Sequence, residues 1–288
     1  MANEIALRLH GEPGDEVICE EHQHILIAEL GGPAAHSGLQ TRGLPGNAGR
    51  ISPEQIRRYA NTVLEHHMPL TRMVSIENTH NASGGRVWTL EELEAVADTC
   101  RELGLRLHLD GARLFNAAVA SGVPAAQIAR HADTVTICLS KGLGCPLGAL
   151  VAGSSELMRR ARRYKHLFGG AMRQAGIVAA AGVYALDHHV DRLAEDHTRA
   201  KRLADGLAAA GMPVQPENVE TNFVQIDVEP LGLTAADALE RLHQVGVGLS
   251  ATVDPTRLRA VTHLDVSDDD IDRAIDLVPE ALGVLARA

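Results

Sequence analysis

The sequence predicts an α/β protein built on a largely parallel sheet, and two features carry this prediction. Strand-like apolar runs alternate with helix-like segments as far as residue 153, the order that gives a parallel sheet covered by helices. Two of the strand-like runs end in a charged residue followed by glycine, at Asp110-Gly111 and, after Ser140, at Lys141-Gly142. Ligands of such sheets bind beyond the carboxyl ends of the strands, so we expect a binding site there.

Length, charge and composition limit the possible functions. A chain of 288 residues is long enough for one large domain and a smaller one. Its net charge of −10 argues against a nucleic-acid or anionic-membrane partner, and an aromatic content of 2% implies an aliphatic core. The chain begins without a basic-then-apolar leader, and no apolar run reaches about 18 residues. We therefore expect a cytoplasmic protein without a transmembrane helix.

The first elements follow from local patterns. Ala2 to Leu9 has helical periodicity, residues 17–19 form a short apolar strand, and residues 25–30 are helix-like. Ser52-Pro53 supplies the N-cap and the first-turn proline of a helix. We expect this helix to run to about His66.

The next group of elements alternates strand with helix up to Lys141. It comprises a strand at 72–77 with a polar loop at 78–81, a capped helix from Thr89, the Asp110 strand, helices at 115–121 and 124–131, and the Lys141 strand. This order puts Glu77, Asp110 and Lys141 at carboxyl ends of strands, where one pocket can hold all three.

A basic helix, residues 155–165, opens the remainder of the chain. Its four arginines and one lysine would suit a nucleic-acid patch, but in an acidic protein we favour a solvated or subunit-contact face. An Ala-rich helix to about His188 and a helix over 190–210 lead into a smaller domain. There we expect strands at 223–227 and 261–265, a helix at 235–245 and a helix capped by Ser267.

Lys141 has the setting of a reactive amine. It follows a buried strand and lies among Gly142, Gly144 and Gly148, which leave space beside it. Partial desolvation would lower the pKa of its amine and favour nucleophilic imine chemistry. The alternative is a lysine that extends from a turn into solvent. The glycines do not form a dinucleotide-binding fingerprint, because their spacing is one residue too long.

Asp110 favours the reactive interpretation of Lys141. An aspartate and a lysine at the ends of two nearby strands are what pyridoxal phosphate (PLP) requires. The lysine forms the imine, and the carboxylate keeps the pyridine nitrogen protonated so that the ring can accept electrons. Each motif is weak alone, but together and in this order they predict a PLP site.

The cysteines and the first histidines indicate no metal centre. The four cysteines, Cys19, Cys100, Cys138 and Cys145, have no CxxC spacing and are expected to be buried free thiols in a reducing compartment. His22 and His24 stand two residues apart, as two ligands on one strand could, but no third ligand has a recognisable spacing. We therefore expect no metal, a structural or polar role for either histidine, and an active-site role as the alternative for His24.

Five segments make the chain resemble one known family, the low-specificity L-threonine aldolases, which are aspartate-aminotransferase-like (fold type I) PLP enzymes. The segments are residues 75–81, 108–116, 138–144, 169–176 and 261–266. The resemblance implies a large PLP-binding domain, residues 1–185, with a mostly parallel, seven-stranded type of sheet. It also implies a small C-terminal α+β domain, residues 186–288.

Besides Arg113, the resemblance implies five cofactor-binding residues. Lys141 would carry PLP, Asp110 would pair with the pyridine nitrogen, and His24 would stack on the ring. Ser140 would lie at the cofactor, and Arg173 would reach a cofactor phosphate in its own or a neighbouring subunit.

The resemblance also implies residues for the substrate. Arg113 would lie beside the phenolic oxygen of PLP and the substrate carboxylate. Arg259 would bind that carboxylate, for which a bidentate arginine is suited, although a surface arginine is the alternative. His67 would lie near the β-hydroxyl, and His24 and His67 are both candidates for the base that takes its proton.

The implied reaction is retro-aldol cleavage of L-threonine and related β-hydroxy-α-amino acids to glycine and an aldehyde. Another PLP-dependent β-elimination or racemisation, or an inactive truncated paralogue, are the alternatives. Relatives assemble as dimers or tetramers with active sites between subunits, so we expect a homo-oligomer.

Two departures from the family pattern qualify these expectations. Family members have a further segment before the position of Met1, with a serine for the substrate carboxylate and a Gly-Thr pair for the phosphate. We therefore expect a misplaced start or a truncation, which would leave the phosphate facing the helix at Ala2 to Leu9 without its loop. Where some relatives have a lysine, this chain has His166.

Overall fold

The computed structural model describes residues 1–284, which divide into two compact units. Unit 1 contains residues 1–83 and 87–190, and unit 2 contains residues 84–86 and those from 191 onward. The sequence-based division into residues 1–185 and 186–288 falls inside a helix, Gly176–His188, and stays a prediction.

Unit 1 is built on a sheet of six strands in the order β2-β1-β3-β4-β5-β6. All neighbours are parallel except β5 and β6, which are antiparallel. The predicted mostly parallel sheet is thus confirmed, with one strand fewer among the described residues than the seven-stranded type. The strands are β1 (Glu16–Glu20), β2 (Gln40–Leu44), β3 (Thr71–Glu77), β4 (Arg106–Asp110), β5 (Thr134–Cys138) and β6 (Ala149–Gly153).

Nine helices of unit 1 accompany these strands among the described residues. They are α1 (Ala2–His10), α2 (His24–Ile27), α3 (Gly32–Ser37), α4 (Pro53–Tyr59), α5 (Leu90–Glu102), α6 (Leu114–Ser121), α7 (Ala125–Ala129), α8 (Ser155–Leu167) and α9 (Gly176–His188). Capping boxes at Ser52 and Thr89 begin α4 and α5, as the sequence predicted.

The predicted end of α4 is wrong, because the helix stops at Tyr59 and does not reach His66. Asn61 explains the early stop. Its backbone N–H donates to Thr71 Oγ1 at 2.9 Å and its side-chain amide donates to the carbonyl of Pro69 at 2.9 Å. These bonds join the chain after α4 to the start of β3 and compete with continuation of the helix.

The centre of the sheet is buried on both faces, and its far edge is not. Ile18, Val74 and Leu107 of the three central strands are almost fully buried, whereas Leu150 of β6 is 43% exposed. Continuous apolar burial is typical of parallel strands covered by helices. The acidic residues Glu77 and Asp110 are the last residues of β3 and β4, and the candidate site lies at these carboxyl ends.

Unit 2 has a three-stranded antiparallel sheet in the order β7-β9-β8. Its strands and α-helices are β7 (Phe223–Asp227), β8 (Ser250–Ala251), β9 (Arg257–Val261), α10 (Leu193–Ala209), α11 (Ala235–Gln244) and α12 (Asp268–Ala281), with 3-10 turns at Pro216–Asn218 and Glu229–Leu231. A capping box at Ser267 begins α12, as expected.

The strand predicted at 261–265 is misplaced, because β9 ends at Val261. Thr262 uses its hydroxyl to donate to the carbonyl of Asp196, and the N–H of Val266 donates to the carbonyl of His263 in a turn. The alternating polarity of this segment therefore comes from a turn and not from a strand. No helix within residues 1–284 has the length and apolar character needed to cross a bilayer.

Candidate active site

Three predicted residues lie at one edge of the unit 1 sheet. Glu77 and Asp110 are the last residues of β3 and β4 and stand opposite each other in register. Thr136 of β5 stands opposite Asp110, and Lys141 follows shortly after the end of β5. Because β3, β4 and β5 are parallel neighbours, their carboxyl ends bring the two acids and the lysine to the same edge.

Asp110 is a buried carboxylate held by donors from three elements. It is 2% exposed. The amide of Asn3 donates to its Oδ2 at 2.7 Å, and the N–H of Ala112 donates to its Oδ1 at 3.0 Å. The Thr136 hydroxyl lies 3.4 Å from Oδ1. These contacts satisfy a charge that would otherwise be costly to bury, and they fix its orientation.

The surroundings of Lys141 lower the pKa of its amine. It lies half-buried in the turn after β5, where its carbonyl accepts a hydrogen bond from the N–H of Gly144 at 2.8 Å. Burial lowers the pKa of the Lys141 amine, and the Arg113 cation lowers it further, against the opposing effect of Asp110 and Glu77. A larger fraction of neutral amine at neutral pH makes Lys141 a better nucleophile.

His24 lies next to Asp110 and is held by two glutamates. Its backbone N–H donates to Glu77 Oε2 at 2.9 Å, and its Nδ1 lies 2.7 Å from Glu29 Oε1. The bond to Glu29 raises the pKa of His24, although burial acts in the opposite direction. Polar atoms of His24, Glu29 and Asp110 all lie within 4.8 Å of one another. The imidazole is thus positioned beside the acid that sequence analysis paired with a pyridine nitrogen.

The buried side chain of His80 lies close to Glu77 and Glu20. His80 is 1% exposed, with Nε2 3.1 Å from Glu20 and 4.0 Å from Glu77. Burial alone would lower the pKa of His80, but the bond to Glu20 and both carboxylates raise it overall. Gly49, at φ +80°, packs so closely that a Cβ there would lie 2.3 Å from the His80 ring. This close packing fixes the His80 ring beside the carboxylates of Glu20 and Glu77.

The other predicted residues of unit 1 are placed as follows. Arg113 is the half-buried N-cap residue of α6 and acts electrostatically on Lys141. His67 lies exposed in the segment after α4, with its ring 4.6 Å from that of His66. Ser140 is exposed, 3.4 Å from the Cys138 sulfur, and Arg173 is exposed in the segment before α9.

Arg259 belongs to β9 of unit 2 and is partly buried there. Its Nε donates to the Ser250 hydroxyl at 3.2 Å, and its guanidinium lies 5.3 Å from the centre of the Phe223 ring. Burial lowers the pKa of Arg259, although a guanidinium stays charged at any ordinary pH. The contacts keep a cation partly desolvated, a state that strengthens its attraction for an anion.

The two histidines considered as metal ligands have different partners. His22 is 3.6 Å from Glu20, whereas His24 bonds to Glu29. The cysteines are free thiols, of which Cys138 is only half-buried. Burial raises the pKa of Cys19 and of Cys100 to about 12, so neither is a nucleophile at neutral pH.

Sequence reasoning missed Asn3, Glu29 and His108. His108 stands two residues before Asp110 on β4, and alternate residues of a strand share a face, so its position was open to prediction. Asn3 and Glu29 become part of the site through the packing of α1 and of the segment after α2 against the strand ends. That packing leaves no local signal.

The side chains present suit PLP. A buried, oriented carboxylate can face a protonated pyridine nitrogen, and a desolvated lysine can bind an aldehyde carbon. The imidazole beside Asp110 can lie on a planar ring. The chemistry of these three side chains therefore fits the cofactor.

Comparison with known proteins agrees with this assignment. The family model described as beta-eliminating lyase matches residues 1–229. A probable low-specificity L-threonine aldolase 2 of Arabidopsis thaliana is 37% identical over 277 residues, covering 94% of this chain and 78% of that protein. The low specificity L-threonine aldolase of Escherichia coli strain K12 is 38% identical over 270 residues, with coverages of 94% and 78%.

Solved structures confirm the fold class. A Leishmania major threonine aldolase matches with a TM-score of 0.80 at 24% identity, covering 97% of this chain and 81% of that one. A Thermus thermophilus aspartate aminotransferase matches with a TM-score of 0.72 at 19% identity, with coverages of 98% and 73%. At such identities the likeness concerns the fold, which is the aspartate-aminotransferase-like fold expected from the sequence.

Proposed function

The chain belongs to the beta-eliminating lyase family, and we propose that it is a PLP-dependent aldolase that cleaves L-threonine, L-allo-threonine and related β-hydroxy-α-amino acids to glycine and an aldehyde. The observation that carries the proposal is the meeting of Asp110, His24 and Lys141 at one sheet edge. Two relatives named as low-specificity threonine aldolases, each aligned over 94% of the chain, support the same reaction.

PLP would be held by Lys141 and Asp110, with His24 against the ring and Arg113 beside Lys141. When bound, it supplies an electron sink for the bond between Cα and Cβ of the substrate. Ser140 and Arg173 would complete the cofactor site. Arg173 is exposed, which suits a residue that reaches the phosphate of a neighbouring subunit. We accordingly propose a homodimer or homotetramer.

The protein's own groups would bind the substrate and move its protons. Arg113 and Arg259 would bind the carboxylate, for which a guanidinium has the matching geometry. Asp110 would keep a proton on the pyridine nitrogen. Lys141, whose pKa is lowered by burial, would be neutral often enough to exchange places with the substrate amine.

His24 is the better of the two candidate bases. Glu29 holds its Nδ1 and raises its pKa, which leaves Nε2 as the nitrogen that would take the β-hydroxyl proton. His67 lies in an exposed segment beside His66, so we assign it to substrate binding near the β-hydroxyl.

The lysines of the chain allow a sharp test, because there are only three, Lys141, Lys165 and Lys201. Lys141→Ala should lose the visible absorbance band of bound PLP and all aldehyde release. Lys201→Ala removes an exposed lysine of α10 that pairs with Asp205 at 3.0 Å, and it should keep both. Borohydride treatment followed by peptide mass mapping should place the cofactor on Lys141. Labelling of another lysine, or full activity of Lys141→Ala, would overturn the assignment.

Product analysis separates the aldolase from other reactions of the same chemistry. Incubation with L-threonine should give acetaldehyde and glycine in equal amounts. Formation of 2-oxobutyrate would indicate β-elimination instead, and D-threonine would indicate racemisation. Absence of a visible band on adding PLP to the wild-type protein would favour an inactive paralogue.

A further inference from the structure

Asn3 of α1 joins the two acidic groups of the site. We propose that Asn3 is a positioning residue that ties the Asp110 carboxylate to the Glu29–His24 pair and thereby fixes the acid and the imidazole relative to each other. The proposal rests on the function proposed above, because it concerns how the same site is prepared for its cofactor.

The amide nitrogen of Asn3 supplies one hydrogen bond to each acid. Nδ2 lies 2.7 Å from Asp110 Oδ2 and 2.7 Å from Glu29 Oε1. A primary amide carries two N–H groups, so both contacts can form at once. The residues are far apart in sequence, and Asn3 is therefore a bridge between β4 and the segment after α2.

The orientation of the Asn3 amide is determined by its surroundings. Carboxylates can only accept hydrogen bonds, so the NH₂ group must face Asp110 and Glu29. The amide oxygen lies against a hydroxyl donor and a histidine ring nitrogen. The Thr136 hydroxyl donates to Oδ1 at 2.8 Å, and His108 Nε2 lies 3.3 Å from it. A rotated amide would place its oxygen against two negative charges.

A row of neutral groups supports the amide from the side of α1. His108 Nδ1 lies 3.0 Å from the Thr134 hydroxyl, which lies 2.9 Å from His10 Nε2. Burial lowers the pKa of His108, and burial together with His108 lowers the pKa of His10 to about 4. Both histidines are therefore neutral at pH 7, and the row adds no charge of its own near Asp110.

The bridge has a consequence for both acids. Burial would raise the pKa of Glu29, but the bonds from His24 and Asn3 lower it overall, so Glu29 is ionised and can hold the imidazole. Without Asn3, the buried Asp110 and the partly buried Glu29 would face each other with one donor fewer each. Unpaired buried charge and like-charge proximity both disfavour the ionised state.

The test compares Asn3→Asp with Asn3→Ala. Asparagine and aspartate have the same shape, so Asn3→Asp keeps the packing but replaces both donors by a third negative charge. We expect PLP affinity to fall by about a hundredfold in Asn3→Asp and by about tenfold in Asn3→Ala. If Asn3 only fills space, the order is reversed, with alanine the more damaging substitution and aspartate nearly neutral.

Two further measurements exclude a general structural effect. The ¹⁵N resonance of labelled PLP should shift in Asn3→Asp, because the added carboxylate changes the charge around Asp110, while the unfolding midpoint shows that the variant is folded. Thr136→Val removes the hydroxyl that orients the amide, and it should weaken PLP binding by about threefold. Thr99→Val is the matched control, because Thr99 is also buried and donates only to the carbonyl of Ala95 in α5.

The outcomes separate this inference from the proposed function. Failure of the wild-type protein to bind PLP overturns the proposed function and the inference with it. Normal PLP binding and an unchanged ¹⁵N resonance in folded Asn3→Asp overturn the inference alone.

Discussion

Asp110 and Lys141 would face opposite ends of one cofactor ring, but their surroundings differ in kind. Asp110 ends a strand that is buried except at Arg106, and it has donors from Asn3 and the backbone of Ala112. Lys141 lies in a half-buried turn, and its amine is altered by burial and by the nearby Arg113 cation. The acid is positioned by specific hydrogen bonds, whereas the amine is activated by its general environment.

This difference has consequences for substitution. Removing a hydrogen-bonded group also affects its partners, because each buried donor left without an acceptor destabilises the folded protein. A group activated by desolvation loses its own chemistry when replaced and leaves few partners unsatisfied. We therefore expect substitutions near Asp110 to affect several residues, and substitution of Lys141 to affect the reaction alone.

Among the substitutions that test this difference, Asp110→Asn is expected to have the largest effect on activity. The new amide cannot carry the charge that keeps the pyridine nitrogen protonated, and its NH₂ group would face the NH₂ group of Asn3. We expect the rate of threonine cleavage to fall by on the order of a thousandfold, with weaker PLP binding. Steady-state kinetics and PLP titration measure both effects.

Asp98→Asn provides the control for Asp110→Asn. Asp98 is an exposed residue of α5 paired with Arg101, and its substitution should leave both measurements unchanged. A rate within tenfold of wild type for Asp110→Asn would show that the carboxylate is not the group that faces the pyridine nitrogen.

An intermediate effect is expected for Glu29→Gln, which keeps the shape of the contact with His24 but removes its charge. Glu29 raises the pKa of His24, so the substitution should lower that pKa. Glu77 and Asp110 also raise it and are unchanged. Because the base must be neutral to accept a proton, activity should persist to lower pH.

The pH profile of kcat/KM measures this shift through its acidic limb. Glu21→Gln is the control, because Glu21 is an exposed glutamate between β1 and α2. An acidic limb that stays in place in Glu29→Gln would assign the catalytic proton to a group other than His24, with His67 the next candidate.

The two sides of this comparison also differ in how well the sequence predicted them. Asp110 and Lys141 were predictable because each interrupts an apolar strand with a charge, which is a local pattern. Asn3 was not, because its role depends on contact with Asp110 across 107 positions of sequence. The early end of α4 was missed for the same reason, since Asn61 bonds to residues that follow a loop.

The smallest effect on activity is expected at Glu4, which lies close to Glu29. Glu29 has donors in His24 and Asn3, whereas among residues 1–284 no donor reaches either carboxyl oxygen of Glu4, whose side chain lies in hydrogen-bonding contact with Glu29. Burial, with Glu29 nearby, raises the pKa of Glu4 to about 7. Gly32 packs against it, so that a Cβ there would lie 2.3 Å from Glu4 Oε1. Two acids of one region thus shift in opposite directions according to the donors supplied.

The sign of the stability effect follows from the raised pKa. Between about pH 4.5 and pH 7 the unfolded chain loses the Glu4 proton while the folded protein keeps it, so stability falls as pH rises. Glu4→Gln removes this ionisation and should match wild type closely at pH 4.5 but exceed it by about 3 kcal/mol at pH 8. Urea unfolding at both pH values measures the difference, and cleavage activity should stay within about twofold. Equal stabilities at pH 8 would mean that Glu4 ionises without cost, and that scarcity of donors does not distinguish it from Glu29.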